Sequence, residues 1–102
     1  MNPGCTVVAT FFAKPEKREE LREMLMGLVS PTRREAGCVD YHLHVDQQDP
    51  NVLMFYENWR TAGDLDEHLT MPHLAHLVDN VDALIDRPIQ VVRYKMLSPY
   101  DK

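Results

Sequence analysis

The stretch C-V-D-Y-H-L-H-V-D-Q-Q-D-P-N-V-L-M-F-Y-E-N-W, residues 38–59, decides the fold. In its first half Val39, Tyr41, Leu43 and Val45 alternate with Cys38, Asp40, His42, His44 and Asp46. A period of two predicts a strand with one buried face and one that is wet or set against a partner. The second half carries apolar bulk on both faces, with Leu53, Phe55, Glu57 and Trp59 on one and Val52, Met54, Tyr56 and Asn58 on the other. Something must therefore cover each side. Gln48-Asp49-Pro50-Asn51 between the halves is turn chemistry, so the whole reads as a β-hairpin.

Upstream, Thr6 to Ala13 is β-branched and aromatic at odd and even positions alike, which predicts a central strand covered on both faces. Lys14-Pro15 closes it and opens a helix, because proline loses nothing in a first helical turn. Leu21, Met24, Leu25, Leu28 and Val29 then repeat at helical spacing, and Pro31 is expected to kink or end that helix. Downstream, Thr61 is a good N-cap with Asp64 three residues on, and Leu65 with Leu69 anchors a short helix. Pro72 restarts a helical segment in which Leu74, Leu77, Val78, Val81, Leu84 and Ile85 keep helical spacing through Asp86. Ile89 to Leu97 is a last strand, and Ser98 to Lys102 is a polar tail expected to fray.

The order is β-α-β-β-α-β, the pattern of an α+β, ferredoxin-like fold in which two helices cover one face of a four-stranded antiparallel sheet. The other face would be bare. Because the first and third strands are apolar on both sides, a homodimer packed sheet against sheet is expected.

At 102 residues the chain is expected to be a single domain, with its core at about residues 6–97. A charged fraction of 26% and a hydrophobic fraction of 44% are ordinary for a soluble protein, and no apolar run approaches the roughly 20 residues that span a bilayer. The first residues lack the pattern of a secretory signal, so a cytoplasmic location is expected. Two cysteines, Cys5 and Cys38, predict free thiols. With a net charge of -5 and no basic stripe, nucleic acid is not an expected partner. His42 and His44 share a strand face but have no third ligand at diagnostic spacing, so no metal is expected.

The segment from Glu35 to His76 holds all five histidines and the only tryptophan. The hairpin would aim Glu57 and Trp59 at one surface, and the next helix would bring His68 and His73 near it. E-A-G-C-V-D-Y before the second strand, F-Y-E-N-W at the end of the third and H-L-T-M-P-H at the helix break together resemble the antibiotic biosynthesis monooxygenase domain family, a dimeric α+β barrel. The similarity covers about residues 6–97 and is nearest to the quinol-monooxygenase type, whose E-x-W and H-x4-H pattern matches Glu57, Trp59, His68 and His73. That resemblance implies a homodimer and a cofactor-free reaction between molecular oxygen and a small aromatic or hydrophobic substrate. Phe55 stands where the anthrone oxygenases carry asparagine, and His68 where the haem-degrading type carries tryptophan, so neither activity is implied.

Triplet oxygen reacts slowly with closed-shell molecules, so an oxygenase without cofactor needs a substrate that itself donates an electron once deprotonated. The protein would hold a flat ring, remove its phenolic proton and stabilise the oxyanion. His68 and His73 are the candidate bases, with Glu57 as orienter or alternative base, and Trp59, Phe55 and Tyr41 as walls of the slot. Each has a structural competitor. His68 could be a boundary histidine bonded to a carboxylate such as Glu57, His73 could bond locally at its helix start, and the three aromatics could be core packing. His76 is read as solvated and Cys38 as an inert thiol. Two other functions fit the same residues: isomerisation or cleavage of a small oxygenated metabolite, as in autoinducer-processing relatives, and a non-catalytic dimer that binds a hydrophobic metabolite.

Overall fold

Four antiparallel strands form one sheet in the order β2-β3-β1-β4 in this computed structural model, which describes residues 3–98 and Tyr100. The strands are β1 Cys5–Phe12, β2 Cys38–Val45, β3 Val52–Trp59 and β4 Gln90–Tyr94. The helices are α1 Arg18–Arg33, α2 Ala62–His68 and α3 Pro72–Asn80. This is the ferredoxin-like α+β arrangement, and the two apolar-rich strands β1 and β3 occupy its centre. Among the described residues no helix is long and apolar enough to cross a membrane.

One sheet face packs on the helices. Val7, Ala9 and Phe11 of β1 pair with Glu57, Phe55 and Leu53 of β3, and all six side chains are buried. From α1, Leu21, Leu25 and Leu28 lie against them, and Leu74 and Leu77 of α3 close the layer. The alternate residues point the other way. Val8, Phe12, Val52, Met54 and Tyr56 are only half-buried there, and Val92 and Tyr94 of β4 are exposed.

Four sequence expectations change. Helix α1 runs through Pro31 to Arg33: the proline sits in the last turn, where it costs one backbone bond, and the Arg34 N–H closes the end on Pro31 and Thr32 carbonyls. The pairing of β2 with β3 slips between Cys38 and Asp40, a β-bulge at Val39. The bulge reverses the face of everything before it. Cys38 packs on the core beside Tyr41, while Val39 and Val45 stay exposed, so the regular alternation overstated the buried face. Helix α3 ends at Asn80 and passes into a 3-10 turn, Val81–Ala83, which leaves Val78 exposed. Strand β4 is shorter than the apolar run that predicted it, ending at Tyr94 where its pairing with β1 stops at Thr6.

Thr61 caps α2, its hydroxyl accepting the Asp64 N–H at 3.1 Å. Of the polar tail, Pro99, Asp101 and Lys102 lie outside the described residues, whereas the Tyr100 hydroxyl donates to Asp40.

Candidate active site

Three loops and helix ends meet at one corner of the helix-covered face. Glu35 lies in the connection from α1 to β2, His68 ends α2 and His73 opens α3. The connection reaches that corner because Gly37 has no side chain: a Cβ there would stand 2.3 Å from the Asp64 Cβ. The Gly37 carbonyl also accepts the Arg60 N–H at 2.8 Å, tying this loop to the start of α2.

Glu35 is the residue that sequence reasoning missed. Its Oε2 accepts from His68 Nδ1 at 2.8 Å and from His73 Nε2 at 2.9 Å. The partner expected for His68 was Glu57, whose carboxylate instead accepts the Trp59 indole N–H at 2.9 Å. A loop carboxylate has no periodicity to betray it. The available signal was the glycine two residues on, which marks a backbone pressed against another element.

The His68 ring is buried and lies on the Trp59 indole, centroids 4.4 Å apart. Tyr41 stacks on Phe55 at 4.4 Å and meets the His68 ring edge-on at 5.7 Å. Beside this group, between the sheet and α2–α3, is a cavity of about 240 Å³. Its lining is apolar except for Glu57, His68, Arg93 and the Tyr41 phenol, and its mouth is formed by the exposed residues Leu69, Val78 and Val91.

The sequence candidates thus divide. His68, Glu57, Phe55 and Tyr41 line the cavity. Trp59 is fully buried and serves as the wall behind His68. His73 does not line the cavity; it faces an outer groove with Glu20, Glu23 and His76, and joins the site through Glu35 and through its ring, whose centroid lies 6.1 Å from that of His68. His42 is held elsewhere, its Nδ1 accepting from Arg33 at 2.9 Å.

Burial sets the protonation of these groups. It pushes the Glu57 carboxyl up to about 7, an effect that the Trp59 N–H offsets and the Glu35 charge reinforces. It holds His68 below the usual imidazole range, against the bond to Glu35 that acts in the opposite sense. Near neutral pH, His68 is therefore a free base and Glu57 is poised to carry or release a proton. Burial, then the carboxylates of Glu35, Glu57 and Asp40, raise the Cys38 thiol to about 11, so it is no thiolate nucleophile.

Glu35, His68 and His73 present three ligand-type atoms within 4.8 Å of one another, a donor set that could hold a divalent transition metal. In this geometry the three atoms are committed to each other, since a carboxylate only accepts and each ring nitrogen supplies the proton.

Fold and cavity define a class: a small ferredoxin-like α+β protein whose open-mouthed apolar pocket is served by a buried imidazole and a buried carboxyl. Residues 5–80 match the antibiotic biosynthesis monooxygenase family, and the chain belongs to that family. It is 34% identical over its full length to 97% of the Mycobacterium tuberculosis protein named "Putative monooxygenase Rv0793". The structure of that protein superposes with a TM-score of 0.91, covering 95% of this chain and 98% of the other. A Pseudomonas aeruginosa protein, PA3566, superposes with a TM-score of 0.89 at 32% identity, over 96% and 97% of the two chains. An uncharacterized Synechocystis protein is 30% identical over 88% of this chain, which spans only 61% of that relative's length.

Proposed function

We propose that the protein is a cofactor-independent monooxygenase that oxidises a small electron-rich aromatic, such as a quinol or naphthol, in the cavity beside His68. One observation carries this reading: the Glu35 carboxylate accepts the hydrogen bond of His68 Nδ1–H, so the other ring nitrogen, Nε2, is left as the acceptor on a ring that lines an apolar cavity.

A hydroxyarene lying between Tyr41, Phe55 and the α3 side chains gives its phenolic proton to His68 Nε2. The imidazolium formed is held by Glu35 in the manner of a buried carboxylate behind a catalytic histidine. The phenolate transfers one electron to oxygen, and the radical pair combines to form a C–O bond and a ring hydroperoxide. Cleavage of the O–O bond leaves one oxygen on the ring as a carbonyl and releases the other as water. The ring C–H at that carbon breaks as the O–O bond cleaves, so the substrate supplies all four electrons that reduce the oxygen, and its phenolic and ring hydrogens leave as the water. Glu57, titrating near neutrality, is placed to hand a proton to the departing oxygen. The apolar lining limits the access of bulk water to the phenolate and the radical pair.

The open sheet face, with Val8, Phe12, Met54 and Tyr56 half-covered, fits packing against a second copy, giving a homodimer with one cavity per protomer.

Oxygen uptake with a panel of hydroquinones and naphthols tests the reaction. Wild-type protein should consume oxygen above the uncatalysed rate, His68→Ala should lose about 10²–10⁴-fold, and His76→Ala should not change. Uptake at the background rate throughout, or an active His68→Ala, removes the proposal.

A further inference from the structure

Among the described residues Arg93 is the only guanidinium in the cavity lining, and its position in the sheet measures the substrate. Val7 pairs with Glu57 on one side and with Arg93 on the other, so Tyr41, Glu57, Val7 and Arg93 form one row across β2, β3, β1 and β4. Paired residues share a face, and that face is the cavity floor. Neighbouring strands lie about 4.8 Å apart, so the Glu57 and Arg93 backbones stand on the order of 10 Å from each other. Val7 between them is small and leaves the row open. The acid–base groups therefore sit at one end of the slot and a guanidinium at the other, near the mouth. Among the described residues the ion-pair partner of Arg93 is Asp66 at 3.8 Å, a weak pair with both side chains more than half exposed.

Resting on the function proposed above, we infer that the substrate is a flat hydroxyarene of about two fused rings that carries an acidic group, such as a carboxylate, at the end opposite its hydroxyl. Arg93 is the residue that selects for it. The guanidinium donates two parallel N–H bonds to the carboxylate, while the far hydroxyl donates to His68 Nε2. A longer or branched acid would overrun a cavity of about 240 Å³, and an acid next to the hydroxyl would bring its charge against Glu57 and Glu35.

Three fluorescent naphthols test this without turnover: 6-hydroxy-2-naphthoate with its groups at opposite ends, 1-hydroxy-2-naphthoate with them adjacent, and neutral 2-naphthol. At low salt, the first should bind wild-type protein about tenfold or more tighter than either of the others, the scale of a charge-assisted bond. That preference should vanish in Arg93→Gln and weaken at high ionic strength. Equal affinity for the three, or a preference that survives Arg93→Gln, overturns the inference while leaving the base chemistry at His68 in place. Failure of all three to bind overturns both.

Discussion

The two faces of the sheet are built from the same strands, one residue apart, yet they handle polar groups in opposite ways. On the helix-covered face the two buried polar side chains that line the cavity each have one side-chain hydrogen-bond partner among the described residues: Glu57 the Trp59 indole, His68 the Glu35 carboxylate. On the open face they are pooled. Asn58 is fully buried, its amide nitrogen donating to Asp40 at 2.9 Å and to the Tyr100 hydroxyl at 2.9 Å, while its carbonyl accepts from Thr6. A pooled network satisfies its members and fixes a structure. A singly held carboxyl in an apolar wall remains titratable and available, which is what a reaction needs.

Removing Trp59 is the harshest way to break the contrast. Trp59→Ala takes away a fully buried indole, the Glu57 partner and the His68 backing together, and should cost about 3–5 kcal/mol in urea unfolding. A loss below about 1 kcal/mol would show that the wall is not packed as described.

Glu57→Gln sharpens the contrast through pH. The Glu57 pKa is raised from 4.5 to about 7 on folding. Its contribution to stability is thus complete below about pH 4.5 and is lost as pH rises through about 7. The loss in wild type is on the order of 3 kcal/mol at most, and the glutamine variant should not show it. Parallel stability–pH curves for the two proteins would contradict the burial argument. On the open face, Asn58→Ala should cost about 1–3 kcal/mol by stranding Asp40 and Thr6, with little dependence on pH between 5 and 8.

The smallest effect on the folded chain is expected from Met54→Lys, a half-buried position on the open face. Monomer stability should shift by no more than about 0.5 kcal/mol, whereas the mass in sedimentation should fall from dimer to monomer. An unchanged mass would move the interface elsewhere.

Much of this was legible in the residues. Period-two alternation located β2, helical spacing located α1 and α3, and Thr61 marked the start of α2, because each signal is local. The sequence also brought His68, Glu57, Tyr41 and Phe55 to one surface. It could not show that His73 faces outward, since Pro72 sets where α3 begins but not which side of the loop the ring takes. Nor could it reveal Glu35, whose role exists only once α1, α2 and α3 have converged. The slip at Val39 was invisible for a related reason: Cys38 and Val39 are both small and apolar enough to fit either face, so the composition there is neutral to register.

That slip has a consequence for lineages that lengthen or shorten this chain. The Asp46–Asn51 loop lies at a far tip, bonded mostly within itself through the carboxylates of Asp46 and Asp49, and extra residues there would leave the sheet untouched. Loss of the bulged Val39 would likewise keep Cys38 opposite Trp59. One residue lost at His42 is a different event. It would shift the pairing of everything before it by one place, turn Tyr41 and Cys38 to the opposite face and carry Glu35 away from both imidazoles. Counting, rather than chemistry, is what such a deletion would damage, and every side chain named in the reaction could remain present while the reaction stopped.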